Sequence, residues 1–235
     1  MISFFADGEL REGAPIELDE GALAHARARR VSAGEEARLL DGKGGVASGT
    51  ITTIGKRALT IHVATVTRLA RPSSLEVVVP VADRDRMLLA AEKCAELQVT
   101  SWRPAWFGRS RSVSPRGEGT RFQEKLVARM RSALEQSGGA WLPEVHREAE
   151  LPEVMAAVTA PIRLVLDSSG TSLHDRISNN GMALLVGPEG GIEDVELRGI
   201  TGNGWVPVAL AATTLRFETA VIAGVAAVRA FQLGR

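Results

Sequence analysis

The stretch LLVGPEGGIEDVEL, residues 184–197, runs apolar Leu184, Leu185 and Val186 directly into Gly-Pro-Glu-Gly-Gly. With Met182 two steps ahead, the apolar run predicts a buried strand. Residues 192–197, with acids near their start, predict the opening of a helix. Between them lies a turn with glycines at 187, 190 and 191, where a backbone can approach a bound molecule closely. The spacing is G-x-x-G-G rather than the G-x-G-x-x-G of dinucleotide sites. No Gly-Lys-Ser/Thr follows, so the turn is not a Walker loop. By itself the stretch fits a ligand-binding turn and an ordinary strand-to-helix connection equally well.

Its surroundings repeat the same alternation. LEVVVPV (75–81), VTSWRP (99–104), RLVLD (163–167), MALLV (182–186) and WVPV (205–208) all predict buried strands. Helices are expected over 84–97, with Met87, Leu88, Ala91, Cys94 and Ala95 on one face, and from Thr120 to the SGG at 137–139. There, T-R-F-Q fits a capping box. The last helix carries Phe217, Ala220, Val221, Gly224, Val225, Val228 and Phe231 at steps of three and four. Strands alternating with helices imply a largely parallel sheet, in which ligands bind beyond the carboxyl ends of the strands, where GPEGG lies.

Upstream the texture differs. Residues 1–70 suggest short strands around one helix near 20–31, with an Asp-Gly turn inside EARLLDGKGGVASGTI and an alternating ALTIHVATV. That pattern predicts a small β-barrel. A Pro-Ser-Ser stretch at 72–74 is a plausible linker to an α/β domain over 71–235.

The 235 residues suffice for a substantial core, and no apolar run approaches membrane-spanning length. The start, MISFFADGEL, lacks the basic region and long apolar core of a secretory signal. A single cysteine, Cys94, allows no internal disulfide and fits the cytoplasm; its apolar neighbours favour an inert core thiol over a catalytic one. The histidines at 25, 62, 146 and 174 lack metal-ligand spacing, so no metal is expected. Net charge is zero, but Lys/Arg against Asp/Glu is 9 to 9 over residues 1–70, 12 to 8 over 71–135 and 7 to 11 over 136–235. Local clusters decide where phosphate binds, and RARR (27–30), DRDR (83–86) and GRSRS (108–112) are three of them. A solvated helix end or loop explains any one of them alone.

A second informative stretch is ALAATTLRFETA, residues 209–220, which again links a strand to a helix. Arg216 can grip an anionic oxygen, and Glu218 sits where the helix dipole favours an acid, so simple capping competes with a chemical role. In this order near the C-terminus, LLVGPEGGIEDVEL and TLRFETA resemble the small-subunit ribosomal RNA uridine-N3 methyltransferases of the SPOUT superfamily. The family's R-x-x-R pair is matched by Arg27 and Arg30, and its Asp-Gly turn by Leu40-Asp41-Gly42. Its K-x-x-E-L-G-V segment is matched at Lys93, Glu96, Leu97 and Val99, with Gln98 in place of glycine. Its E-R-S and E-Q-S-G-R segments survive as Arg109-Ser110 and Glu135-Gln136-Ser137-Gly138, with Gly108 and Gly139 as departures. In the last loop, Ala211 stands where the family has glycine and Thr213 where it has arginine.

The resemblance covers almost the whole chain. It implies a PUA-like β-barrel over 1–70, then an α/β domain with a C-terminal trefoil knot over roughly 163–220. It also implies a homodimer acting on small-subunit ribosomal RNA, within an assembled subunit, with S-adenosylmethionine as cofactor. Cofactor contacts are then expected at Leu166, at Val186, Gly187, Pro188, Glu189, Gly190 and Gly191, and at Leu210, Thr214 and Leu215. Arg27, Arg30, Arg86, Lys93 and Arg109 are expected at RNA phosphates. Arg216 is expected to stabilise charge on the uracil and Glu218 to accept its proton. Action on a different RNA, or RNA binding without catalysis, are the alternatives that the sequence leaves open.

Overall fold

The computed structural model describes residues 1–110 and 115–233. Arg111 and Ser112 of the GRSRS cluster lie outside the described residues. The chain divides into two compact units, one of Met1–Arg71 with Arg131–Leu142, the other of Pro72–Met130 with Pro143–Arg235.

The first unit contains β1 (Ile2–Phe5), β2 (Pro15–Leu18), α1 (Glu20–Ala28), β3 (Glu36–Leu40), β4 (Gly45–Ile54) and β5 (Leu59–Arg68), in sheet order β1-β3-β4-β5-β2. Period-two alternation aims Leu59, Ile61 and Val63 of β5 at a core shared with Phe4, Leu39 and Ile51. The long β4–β5 pair slips register next to Gly49, where a side chain would strike the His62 carbonyl. Such an irregularity bends a strand and lets a short sheet curl, as in a PUA-like domain. Asp41 closes the expected turn by accepting from the Lys43 and Gly45 amides, both at 2.7 Å.

Residues 131–142 add what the sequence did not suggest for this unit. Arg131 pairs with Asp7 at 2.8 Å, Glu135 accepts from the Phe5 amide at 2.8 Å, and the Ala140 carbonyl accepts from Gly44 at 2.9 Å.

The second unit holds β6 (Leu75–Pro80), α2 (Arg84–Glu96), β7 (Ser101–Trp106), the start of α3 (Thr120–Ser137), β8 (Glu144–Val145), β9 (Ala149–Glu150), α4 (Leu151–Ala157), β10 (Ile162–Ser172), β11 (Met182–Val186), α5 (Asp194–Gly202), β12 (Val206–Ala209) and α6 (Phe217–Leu233). The sheet order is β12-β10-β11-β6-β7-β8, and every pairing is parallel, as the alternation implied. Helices cover both faces. Val154 and Met155 of α4 and Ile200 of α5 join Val165, Ala183 and Leu185, while α6 lays Gly224 against Leu166 and Leu184. Thr120 is the first residue of α3 rather than its cap, and the Phe122 and Gln123 amides donate to the Gly119 carbonyl. Among the described residues no helix is long and apolar enough to cross a membrane.

Strand β10 departs most from expectation. Rather than ending at Asp167, it continues to Ser172. Both Leu166 and Thr171 pair with Val208, so the four residues between them leave the ladder. A side chain at Gly170 would collide with the Pro207–Val208 backbone, so only glycine permits this close passage of β10 over β12.

Candidate active site

Three adjacent strands, β12, β10 and β11, bring their carboxyl ends together, and the loops that follow enclose a cavity of about 270 Å³. From β10 come Leu166, Asp167 and Ser168; from β11, Val186, Gly187, Pro188, Glu189, Gly191 and Ile192. From the segment after β12 come Leu210, Ala211, Thr213, Thr214 and Leu215, with Phe217 and Ala220 of α6 behind them. The residues expected at a cofactor therefore converge on one hollow, with the exception of Gly190. Phe217 and Ala220 belong to the helix stripe and to TLRFETA, and Ile192 to the stretch that opens the helix after GPEGG, but none of the three is expected from the sequence to touch the cofactor.

The glycines of GPEGG have individual reasons. A Cβ on Gly187 would lie 2.5 Å from Ile192 Cγ1, so this glycine lets the turn fold back on itself. Gly191 has φ +79°, a left-handed conformation, and its amide donates to the Pro188 carbonyl at 2.8 Å. Gly190 lies against the stem of Arg109, where a Cβ would be 3.2 Å from Arg109 Cβ and Cδ.

The two loops that face each other differ in how they are held. The turn after β11 is anchored. Arg86 on α2 pairs with Glu189, Arg109 donates to the Gly190 carbonyl and approaches Glu193 at 3.8 Å, and the Gly108 amide donates to Glu196 at 2.8 Å. The segment after β12 is bare: residues 211–214 and Arg216 are exposed. No hydrogen bond or ion pair within the described residues engages the Arg216 guanidinium.

Next to Arg216, Glu218 is 7% exposed, and its Oε2 has no hydrogen-bond partner among the described residues, a condition shared by Trp102 Nε1, Trp205 Nε1 and Arg131 Nε. Neither Arg216 nor Glu218 lines the cavity, although Leu215, Phe217 and Ala220 next to them in the chain do.

The other basic residues lie elsewhere. Lys93 on α2 sits between Glu92 at 2.8 Å and Glu96 at 2.7 Å, and hydrogen bonds to both hold its ammonium pKa above the usual value. Arg27, in the first unit, donates to the Gly55 carbonyl at 3.1 Å, and Arg30 ends α1 with φ +55°. Cys94 is fully buried and burial pushes its thiol pKa far up, as expected of an inert core thiol.

Two family profiles match this chain: the RNA methyltransferase domain over residues 70–229 and the RNA methyltransferase PUA domain over 18–64. The parallel sheet and loop-lined cavity thus define an RNA methyltransferase preceded by a PUA domain. A ribosomal RNA small subunit methyltransferase E of Mycobacterium bovis is 31% identical over 231 residues, covering 92% of this chain and 85% of the relative. The chain belongs to this ribosomal RNA small subunit methyltransferase E family. A member from Neisseria gonorrhoeae, solved bound to S-adenosyl methionine, is 26% identical with a TM-score of 0.86, covering 98% of both chains. A protein of Legionella pneumophila solved with bound SAM shares the fold, at TM-score 0.89 and 24% identity over 98% of this chain and 97% of that one.

Proposed function

We propose that this protein transfers a methyl group from S-adenosylmethionine to N3 of an unpaired uridine in small-subunit ribosomal RNA. The observation that carries the reading is the convergence of three loops on one cavity, one of them leading through Arg216, unengaged among the described residues, to the buried Glu218. A buried polar atom left unpaired costs free energy, and in this reading the Glu218 oxygen meets its partner during function.

The cavity suits the cofactor. Leu166, Val186, Leu210, Leu215 and Phe217 offer apolar walls for an adenine ring. The backbone of the three loops offers donors and acceptors to its edge, and Asp167 and Glu189 offer acceptors to hydroxyls. Its volume, about 270 Å³, is near the lower end of small-molecule sites, roughly 300–1,000 Å³. When bound, S-adenosylmethionine supplies an electrophilic methyl carbon.

The remaining work falls to the chain. N3 of uracil carries a proton at neutral pH, and its loss spreads negative charge onto O2 and O4. Arg216 stabilises that charge as it develops, and Glu218 accepts the proton. N3 lies on the pairing edge, so the uridine is taken out of any helix before it reacts. Arg27 and Arg30 contact phosphates along the RNA, whereas Lys93 would have to give up Glu92 and Glu96 to do so.

The same reading includes a cytoplasmic homodimer acting on an assembled subunit and a knotted strand passage at β10 and β12. An apolar hollow of about 410 Å³ lined by Leu173, Ile177, Ala227 and Phe231 supports a surface for a second copy.

The test is methylation of small subunits from a strain lacking the endogenous enzyme, with the product nucleoside mapped by mass spectrometry. A 3-methyluridine at one position is expected. Methylation of another RNA, or at another atom, would replace the substrate assignment, and absence of cofactor binding would leave an RNA-binding protein only.

A further inference from the structure

We infer that Arg86 and Arg109 are positioning residues of the cofactor turn and not contacts to RNA phosphate, an inference that rests on the cofactor reading above. Their sequence setting suggests RNA: each falls in a basic cluster of the charge-rich middle of the chain. Their partners say otherwise. Arg86 projects from the first turn of α2, whose start is fixed by Asp83 accepting from the Arg86 amide at 3.1 Å, and its guanidinium is paired with Glu189. Arg109 follows β7, donates to the Gly190 carbonyl and lies 3.8 Å from Glu193.

Both arginines therefore end on the same short turn, from two different strand-to-helix connections. A third tie, the Gly108 amide on Glu196, fixes the start of α5 to the segment that carries Arg109. Glu196 also accepts from the Glu193 amide at 3.0 Å, so the turn, the helix start and Arg109 form one hydrogen-bonded unit.

Charge favours the same conclusion. Each guanidinium already faces a carboxylate, Glu189 or Glu193, so a phosphate would have to displace an anion to reach it. Among the described residues, Arg216 faces no such competitor. Geometry adds a constraint that electrostatics lacks: the stem of Arg109 runs alongside Gly190, so the arginine supports the turn by contact as well as by its charge.

These groups are partly exposed, with side-chain exposures of 32% for Arg86 and 50% for Arg109, so solvent screening keeps each contribution modest. Arg86→Ala and Arg109→Ala should each weaken S-adenosylmethionine binding roughly five- to tenfold, as expected for one charge-assisted contact at a half-exposed site. The salt dependence of RNA binding should be unchanged in both, whereas a lost phosphate contact lowers that slope by about one.

The experiment is calorimetry of full-length protein with S-adenosylmethionine, RNA binding across a salt series, and amide exchange of residues 187–193 in cofactor-free protein. Exchange should accelerate in both alanine variants. Arg86→Lys should recover much of the affinity, and Arg86→Ala combined with Glu189→Gln should cost no more than the greater single loss, because the two act as a pair. Wild-type cofactor affinity and wild-type exchange, together with a reduced salt slope, would overturn the inference and return both residues to the RNA. If wild-type protein bound no S-adenosylmethionine, the cofactor reading itself would fall, and the exchange rates would still decide whether the arginines hold the turn.

Discussion

Among the described residues, two acids are buried in the second unit, and they are treated in opposite ways. Glu76, in the middle strand β6, is 3% exposed and fully used. It accepts from Arg103 Nε at 2.7 Å and from the Thr159 amide, the Thr159 hydroxyl and the Ala160 amide, each at 3.0 Å. Burial pushes its pKa up, but Arg103 and Thr159 outweigh that and hold the carboxyl below its usual value. Glu218, at the start of α6, is nearly as buried and leaves an oxygen unpaired. Burial alone does not distinguish the two acids; the satisfaction of their oxygens does.

The largest effect that sharpens this contrast is at Glu76. Glu76→Ala leaves the Arg103 side chain, 12% exposed, without its partner, and should destabilise the second unit by about 3–5 kcal/mol in chemical denaturation. The sign of the pH effect follows from the lowered pKa. The wild-type contribution is complete above the unfolded-state pKa, about 4.3, and is lost as pH falls through the lower folded-state value. Stability of Glu76→Gln should therefore depend less on pH in that acid range. An equal acid response in wild type and Glu76→Gln would mean that the ionised Glu76 carboxylate is not what ties β6 to Arg103 and to residues 159–160. Glu135 in the first unit has the opposite sign. Burial raises its pKa, so this group opposes folding as pH rises from its unfolded to its folded value.

The proposed catalytic pair comes next in size. Arg216→Ala should slow single-turnover methylation roughly a hundredfold, by analogy with loss of an oxyanion donor, with no change in melting temperature because the side chain is exposed and unengaged. Glu218→Gln should slow the same step by roughly a hundredfold near neutral pH, less at higher pH as uracil ionises unaided, while stability holds or rises. Saturating RNA and cofactor separate slower chemistry from weaker binding. If Glu218→Gln lost stability and kept its rate, Glu218 would join Glu76 as a structural acid.

How far these roles were legible depends on range along the chain. The strands were visible as apolar runs, and the parallel sheet followed from their alternation with helices. GPEGG and TLRFETA marked two of the three loops at the cavity. The bulged end of β10 was not visible, because Ser-Ser-Gly-Thr-Ser has no apolar pattern and its ladder is completed by Val208, far along the chain. The partners of Arg86 and Arg109 were hidden for the same reason: DRDR looks like a phosphate cluster until Glu189, 103 residues further on, is seen to face it. Glu76 inside LEVVVPV gave no sign of its four donors. Local periodicity reports what a segment buries, and long-range pairing decides what its charges do.

The smallest effects come from two positions where the resemblance expects glycine and this chain has a side chain. At Gln98 the glycine would have mattered. The Gln98 amide donates to Ala95 and the Val99 amide to the Cys94 carbonyl at 2.9 Å, closing α2 with a left-handed residue at φ +58°. That is the helix end glycine favours, and a side chain there costs about 1 kcal/mol. Gln98→Gly should stabilise the second unit by about that amount, since the Gln98 carbonyl, which accepts from Arg229, belongs to the backbone and is kept. Ala211 is different. Among the described residues only Arg30 and Gln98 are non-glycine residues with positive φ, so Ala211 is unstrained, and it is exposed at the cavity rim. Ala211→Gly should change stability by no more than about 0.5 kcal/mol, the scale of a surface substitution. Its cofactor affinity should stay within about threefold, because one methyl group at an exposed rim buries little surface. Denaturation curves and calorimetry check both variants. A large gain in cofactor affinity from Ala211→Gly would show that the methyl group crowds the cavity, and would move the departure at 211 from a neutral change to a functional one.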